Sequence, residues 1–138
     1  MPFLVEVESE FRAQQGLVST VRRAEGLPSL DEADGRRCYV LRVGLSFTQE
    51  QVDNDLGRGV NSDVVSLVLH EETERLAAQP WTSLFSFRPS LERVARELFD
   101  VLQSRLEALE YVELADSAAG LTVRYRPARD APRVSGSR

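Results

Sequence analysis

The chain has 138 residues, 42% hydrophobic and 28% charged, and carries a net charge of −5. That length fits one domain, above the ~70–80 residues below which a core usually needs staples. The acidic balance argues against a binder of nucleic-acid backbone, which carries clustered positive charge. A single cysteine, Cys38, excludes an intrachain disulfide and suits a reducing compartment. All 17 basic residues are arginine, which points to a GC-rich bacterial genome. The opening segment MPFLVEVESEF lacks the basic region and apolar run of a signal peptide, and no apolar stretch approaches the ~20 residues of a membrane-spanning helix. A soluble, cytoplasmic protein without nucleic-acid or membrane partners is expected.

In chain order, Phe3, Val5, Val7, Phe11 and Ala13 alternate with Glu6, Glu8, Glu10 and Arg12, which predicts a long half-buried strand. Residues 18–37 read as a polar connection containing Gly26, Pro28 and Gly35. A second strand is predicted from about Cys38 to Thr48, with Tyr39, Leu41, Val43, Leu45 and Phe47 on one face. QVDNDLGRGVNSD reads as loop. Asn61 or Ser62 caps a first helix over about 63–78, whose stripe is Val64, Val65, Val68, Leu69 and Leu76, and Pro80 ends it.

PWTSLFSFRP is an aromatic-rich connection. A second helix is expected after Pro89 with Ser90 as its cap, and Leu91, Val94, Ala95, Leu98, Phe99, Leu102, Leu106 and Leu109 keep helical spacing for five turns. YVELADS and GLTVRYR then read as two strands joined by a tight Ala-Gly turn. Residues 1–126 form one domain, and 127–138, rich in Pro, Ser, Gly and Arg, a loosely held tail. The predicted fold is α+β: β-β-α-α-β-β, a four-stranded antiparallel sheet with two helices on one face.

At the end of the first strand, ESEFRAQQGL sets two glutamines before a glycine. Neighbours on a strand point to opposite faces, so one of them faces inward. An inward, uncharged hydrogen-bonding group at a strand end asks for a purpose.

Five segments supply one. FRAQQGL, GRRCY, GVNSDV, PSLER and VELADS stand, in order, where the 6-pyruvoyl- and 6-carboxy-tetrahydropterin synthases have segments like F-S-A-A-H-R-L, H-G-H-N-Y, G-M-V-x-D-F, P-T-x-E-N and V-x-V-x-E-T. From about Phe3 to Tyr125 the chain resembles that family. The resemblance implies the tunnelling fold, or T-fold, in which sheets of several subunits close into a β-barrel. It also implies a catalytic zinc held by histidines, but those positions fall on Gln15, Gly35 and Arg37. None of the three suits zinc, which wants imidazole, thiolate or carboxylate. The family's catalytic cysteine falls on Asp31, and its Asp-His pair falls on Pro80 and Trp81. No metal or other cofactor is therefore expected, and Gln15 stands where a ligand to one would.

The anchoring side of the resemblance survives. A family glutamate that grips the edge of the pterin ring falls on Asp116, and the glutamate of P-T-x-E-N on Glu92. Each has a plainer reading: Glu92 as an acid favouring the helix dipole, Asp116 as an Asp that starts a turn. Arg37, Glu92 and Asp116 are the candidate catalytic groups; Gln15, Asp31, Tyr39, Trp81 and Asp116 are the candidate ligand contacts. His70 reads as a solvated helix-face residue, Cys38 as a small packing residue, and Phe85 and Phe87 as loop aromatics.

Two function classes follow. One is a metal-independent enzyme for an elimination, cyclisation or isomerisation of a small molecule, in a specialised biosynthetic pathway; the retained Arg and carboxylates lean this way. The other is an inactive binding module or pseudoenzyme that holds a small heterocycle or an active paralogue. In either case one subunit leaves a sheet face bare and two strand edges open, so a cyclic homo-oligomer is expected. A trimer, or a hexamer built from two, would place the sites at subunit interfaces.

Overall fold

The computed structural model describes residues 3–53 and 62–128. Its elements are β1 (Phe3–Ala13), α1 (Thr20–Ala24), β2 (Arg37–Phe47), α2 (Gln49–Asp53), α3 (Ser62–Ala77), α4 (Trp81–Leu84), α5 (Leu91–Leu102), β3 (Leu109–Asp116) and β4 (Leu121–Tyr125). The strands form one sheet in the order β1-β2-β3-β4, and every neighbouring pair is antiparallel. The two long helices lie on one face, as the alternation of the strands requires. No helix among the described residues is long and apolar enough to cross a membrane.

The core is the layer between sheet and helices. Tyr39, Leu41 and Val43 of β2 meet Leu98 and Leu102 of α5 and Leu69 and Leu76 of α3, all fully buried. α5 forms because its apolar residues recur at i, i+3, i+4 and i+7, and because the Ser90 hydroxyl accepts from the Arg93 N–H at its N-terminus.

Several expectations need correction. The polar connection contains α1, capped by the Ser19 hydroxyl and without a buried residue. The expected loop after β2 begins with α2, where Thr48 and Gln51 satisfy each other's backbone N–H groups reciprocally, the arrangement of a capping box. Ser62 is already helical, while Asn61 and the GVN of GVNSDV lie outside the described residues. Val64, placed in the apolar stripe of α3, is 51% exposed. The aromatic connection holds the single turn α4.

The largest correction concerns α5. It ends at Leu102, two turns early. The Arg105 and Leu106 N–H groups both close back on the Leu102 carbonyl, and Ala108 takes a positive φ of 67° that turns the chain into β3. Leu106 stays in the core from a turn, and Leu109 begins a strand, so apolar spacing outlasted the helix. Most of the tail lies outside the described residues.

The other face of the sheet carries charge. Glu8, Arg42, Glu113 and Arg124 form a row across β1, β2, β3 and β4. Arg42 bonds Glu8 at 2.6 Å and Glu113 at 2.9 Å, and Arg124 bonds Glu113 at 2.9 Å. One step along, the Tyr111 ring lies across Gly44 with its hydroxyl on Glu6 and the Arg124 guanidinium 4.0 Å above it. A Cβ on Gly44 would stand 2.1 Å from that ring.

Two outcomes are expected. Gly44→Ala should expel the Tyr111 ring and cost about 1–3 kcal/mol of stability, read from urea unfolding. Alkaline pH should also destabilise the fold. Burial, then the hydrogen bond to Glu6, pushes the Tyr111 phenol up to about 12 from its ordinary 10. The folded state therefore holds that proton more tightly than the unfolded chain. Its contribution is complete below pH 10 and is lost as pH rises toward 12, a loss that Tyr111→Phe should reduce.

Candidate functional site

The site is built where β1 ends, β2 begins, β3 ends and α5 begins. Gly16 follows β1 with a positive φ of 86°, and a Cβ there would lie 2.8 Å from the Thr82 hydroxyl, so the chain turns at that glycine. Just before it, Gln14 faces solvent while Gln15 is half-buried. The Gln15 Nε2 donates to the Pro89 carbonyl at 2.8 Å, and the Gln14 carbonyl accepts from the Trp81 N–H at 2.9 Å. The purpose of the inward glutamine is thus mechanical in part: it ties the end of β1 to the residue before the cap of α5.

Arg37 is the first residue of β2 and Asp116 the last of β3. Antiparallel pairing brings these ends together, with Tyr39 opposite Asp116. The Arg37 Nη1 donates to Asp116 Oδ2 at 2.6 Å, and its Nε donates to Asp31 Oδ1 at 2.6 Å. Asp116 is 4% exposed, and its other oxygen accepts from the Ala119 N–H at 3.2 Å. Asp116 therefore closes the β3–β4 turn, as its plainer reading has it, and also holds the Arg37 cation. Burial alone would lower the pKa of Arg37. The hydrogen bonds and charges of Asp31 and Asp116 outweigh it and raise the value, which fixes a permanent cation.

Beside this pair opens a cleft of about 460 Å³. Gln15, Arg37, Glu92 and Asp116 all line it, so four of the sequence-selected residues converge. Glu92 sits exposed in the first turn of α5, where the helix dipole also favours an acid. Leu17, Leu30, Leu91 and Leu121 supply apolar wall. An adjoining hollow of about 360 Å³ shares Leu17, Arg22 and Arg37 and adds Asp31, which holds Arg37 from that side.

Two candidates do not reach the cleft. Tyr39 and Trp81 are fully buried, with ring centroids 4.8 Å apart, and belong to the core. The Trp81 indole N–H donates to the Leu76 carbonyl at 2.8 Å, while the Tyr39 hydroxyl has no hydrogen-bond partner among the described residues. Their large rings were needed to fill the layer between β2 and α4, and a ring that fills a core cannot also face a ligand. Phe85 is buried and stacks on Phe87 at 4.9 Å. His70 is an exposed residue of α3 beside Glu74. The Cys38 thiol is pushed up, by burial first and then by Glu10, which is opposite to activation by its arginine neighbour.

Sequence reasoning missed Arg22 and Arg88, which also line the cleft. The Arg22 guanidinium closes its own loop by donating twice to the Pro28 carbonyl, at 2.9 and 2.7 Å. Nothing in a polar connection marks such a residue beforehand. Arg88, two residues before the Ser90 cap, could have been placed at the α5 end from its position alone.

The residues present do not fit the zinc that the family resemblance implies. Gln15 spends its amide nitrogen on a carbonyl, Gly35 has no side chain, and Arg37 brings a cation already held by two carboxylates. Among the described residues no cluster of three His, Cys, Asp or Glu could hold a metal ion.

No known family profile matches the chain, and no curated protein does. Among solved structures it is similar to 6-pyruvoyl tetrahydropterin synthase of Caenorhabditis elegans, with a TM-score of 0.63 over 91% of this chain and 96% of that one, at 14% identity. The likeness shows the fold: a four-stranded antiparallel sheet with helices, the T-fold subunit.

The Arg37–Asp116 pair carries a stability consequence. Asp116→Asn takes one of two negative charges from a mostly buried guanidinium and should cost about 1.5–3 kcal/mol. A double-mutant cycle with Arg37→Gln, read by chemical denaturation, should recover a substantial part of that cost, because the orphaned cation is then gone.

Proposed function

We propose that the protein is a tetrahydropterin-synthase-like T-fold protein that takes a small molecule into the 460 Å³ cleft and acts on it without a metal. The supporting observation is the convergence of Gln15, Arg37, Glu92 and Asp116 on one cavity from four separate segments. Asp116 and Asp31 hold Arg37 at Nη1 and Nε, which orients the guanidinium before any ligand arrives. Its role is to stabilise negative charge that develops on a ligand oxygen. Glu92, the carboxylate on the open wall, is the proton-transfer group. A fixed cation facing a solvated base suits removal of a proton next to a polarised carbonyl or imine, the common first step of eliminations, cyclisations and isomerisations. Asp116 is a positioning residue, since both its oxygens are already engaged. The same reading makes the protein a cyclic homo-oligomer, a trimer or a hexamer of two trimers, with clefts at subunit boundaries.

The saturation of Asp116 supports a second reading, a binding module or pseudoenzyme in which Arg37 and Asp116 satisfy each other and only shape the pocket. Native mass spectrometry of the purified protein separates the two. The enzyme reading expects a co-purifying small molecule that wild type converts. Glu92→Gln should then bind it comparably but turn it over about 10²–10⁴-fold more slowly. A captured molecule that wild type leaves unchanged would favour the binding module.

A further inference from the structure

We propose that the cleft takes a small organic monocarboxylate with an apolar body, held by arginines at its charged end, and not a heterocycle held by its N–H edge. The inference rests on the occupied-cleft reading above and names its substrate class.

The hydrogen-bonding groups left open set the polarity of the ligand. Asp116 is the buried acceptor of the cleft, but one oxygen takes the Arg37 Nη1 and the other the Ala119 N–H. A ring edge with two adjacent N–H donors would have to displace a charge-assisted bond of 2.6 Å to reach it. The open donors, by contrast, are all cationic. The Arg37 Nη2, the Arg22 Nη1 and the whole Arg88 guanidinium make no hydrogen bond among the described residues. Two open acceptors accompany them: the Gln15 Oε1, whose own amide nitrogen is spent on Pro89, and the exposed Glu92, already assigned to proton transfer. Such a cleft offers more to an anion than to a donor-edged ring.

Charge limits that anion to one negative group. Arg22, Arg37 and Arg88 line the cleft with Glu92 and Asp116, a surplus of one cation. The adjoining hollow adds one of each sign, Arg23 and Asp31, and leaves the surplus at one. A polyphosphate would bring several negative charges to a site with a single cation to spare. A carboxylate needs one guanidinium, whose fork it matches with two parallel bonds. The walls supply the rest. Leu17, Val18, Leu30, Leu91 and Leu121 line the same cleft, and Val18 and Leu121 are exposed, so an apolar body would leave water together with them.

Nuclear magnetic resonance of the full chain, carrying labelled leucine methyls, tests this with cyclohexanecarboxylate as the probe. The acid should shift the methyls of Leu17, Leu30, Leu91 and Leu121 and leave those of the exposed Leu4 and Leu67, outside the cleft, in place. Cyclohexylmethanol, inorganic triphosphate and isocytosine, which presents adjacent N–H donors, should each bind about tenfold more weakly or worse. Arg88→Gln should weaken the acid about tenfold and leave the alcohol unchanged, whereas Arg96→Gln, on the exposed side of α5, should alter neither. Circular dichroism verifies that each variant is folded, and Arg22→Gln is the second variant should Arg88→Gln not fold. Equal affinity for acid and alcohol overturns the anion recognition, and tighter binding of triphosphate or isocytosine overturns the class. Either result leaves the occupied-cleft reading standing, as does acid binding indifferent to both arginine variants, which also overturns the inference. Cleft methyls that no probe moves overturn the inference and the reading together.

Discussion

An arginine at 14% side-chain exposure has to be neutralised where it stands, and the arrangement around Arg37 follows from that requirement. Its two carboxylate partners come from different places: Asp116 from the end of β3 and Asp31 from the connection before β2. Meeting the need therefore fixes the ends of two strands relative to each other and draws the exposed 17–36 segment onto the sheet. Arg12 does the same further along by pairing with Glu32 and Asp34, but those groups are exposed and contribute little each. Because α1 buries no residue, polar tethers are a large part of what holds this segment, and the cleft lies beneath it.

The opposite face deals with charge by a different route. There the acids and bases stand in strict alternation across the strands, each arginine between two acceptors or over a ring. Glu113 accepts from Arg42 and Arg124 together, which allows it to be 8% exposed. Such a face is too polar to take a second layer of helices and too ordered to be merely solvated surface. Its charges are already satisfied across the sheet.

Much of this was legible in the sequence because the relevant signals are periodic. Alternation in FLVEVESEFRA and RCYVLRVGLSF marked both long strands to within a residue, and the i, i+3, i+4 spacing after Pro89 marked α5. The same periodicity misled at Leu106 and Leu109, since apolar spacing says which residues are buried and not which backbone carries them there. α1 and α2 are short and solvated, so they leave no apolar period to find. In the site, the motif-like positions Gln15, Arg37, Glu92 and Asp116 were legible, whereas Tyr39 and Trp81 were misplaced. An aromatic residue near a site by sequence has the same composition signal whether it lines a cavity or fills the core behind it. Arg22 left no signal because an arginine in a polar connection is ordinary until the chain folds it onto something, whereas Arg88 was marked only by its place just ahead of the Ser90 cap.

One feature links the two faces: the register of β3 on β2. Side chains alternate with a period of two, so a slip of one residue would carry Asp116 away from Arg37 and turn Glu113 into the core. Cleft and charged row would be lost together. The register is held from the open face, where Tyr111 fits only over the bare Cα of Gly44, and just beyond it the pairing shifts between Gly44 and Leu45. Any other residue at 44 would meet the ring, and any other alignment of β3 would leave Tyr111 without that gap. A glycine in the middle of a long strand costs backbone entropy and packs nothing by itself. Its use here is to be the one place where a tyrosine can lie flat, and so to decide which carboxylate reaches Arg37 at the far end of the same two strands.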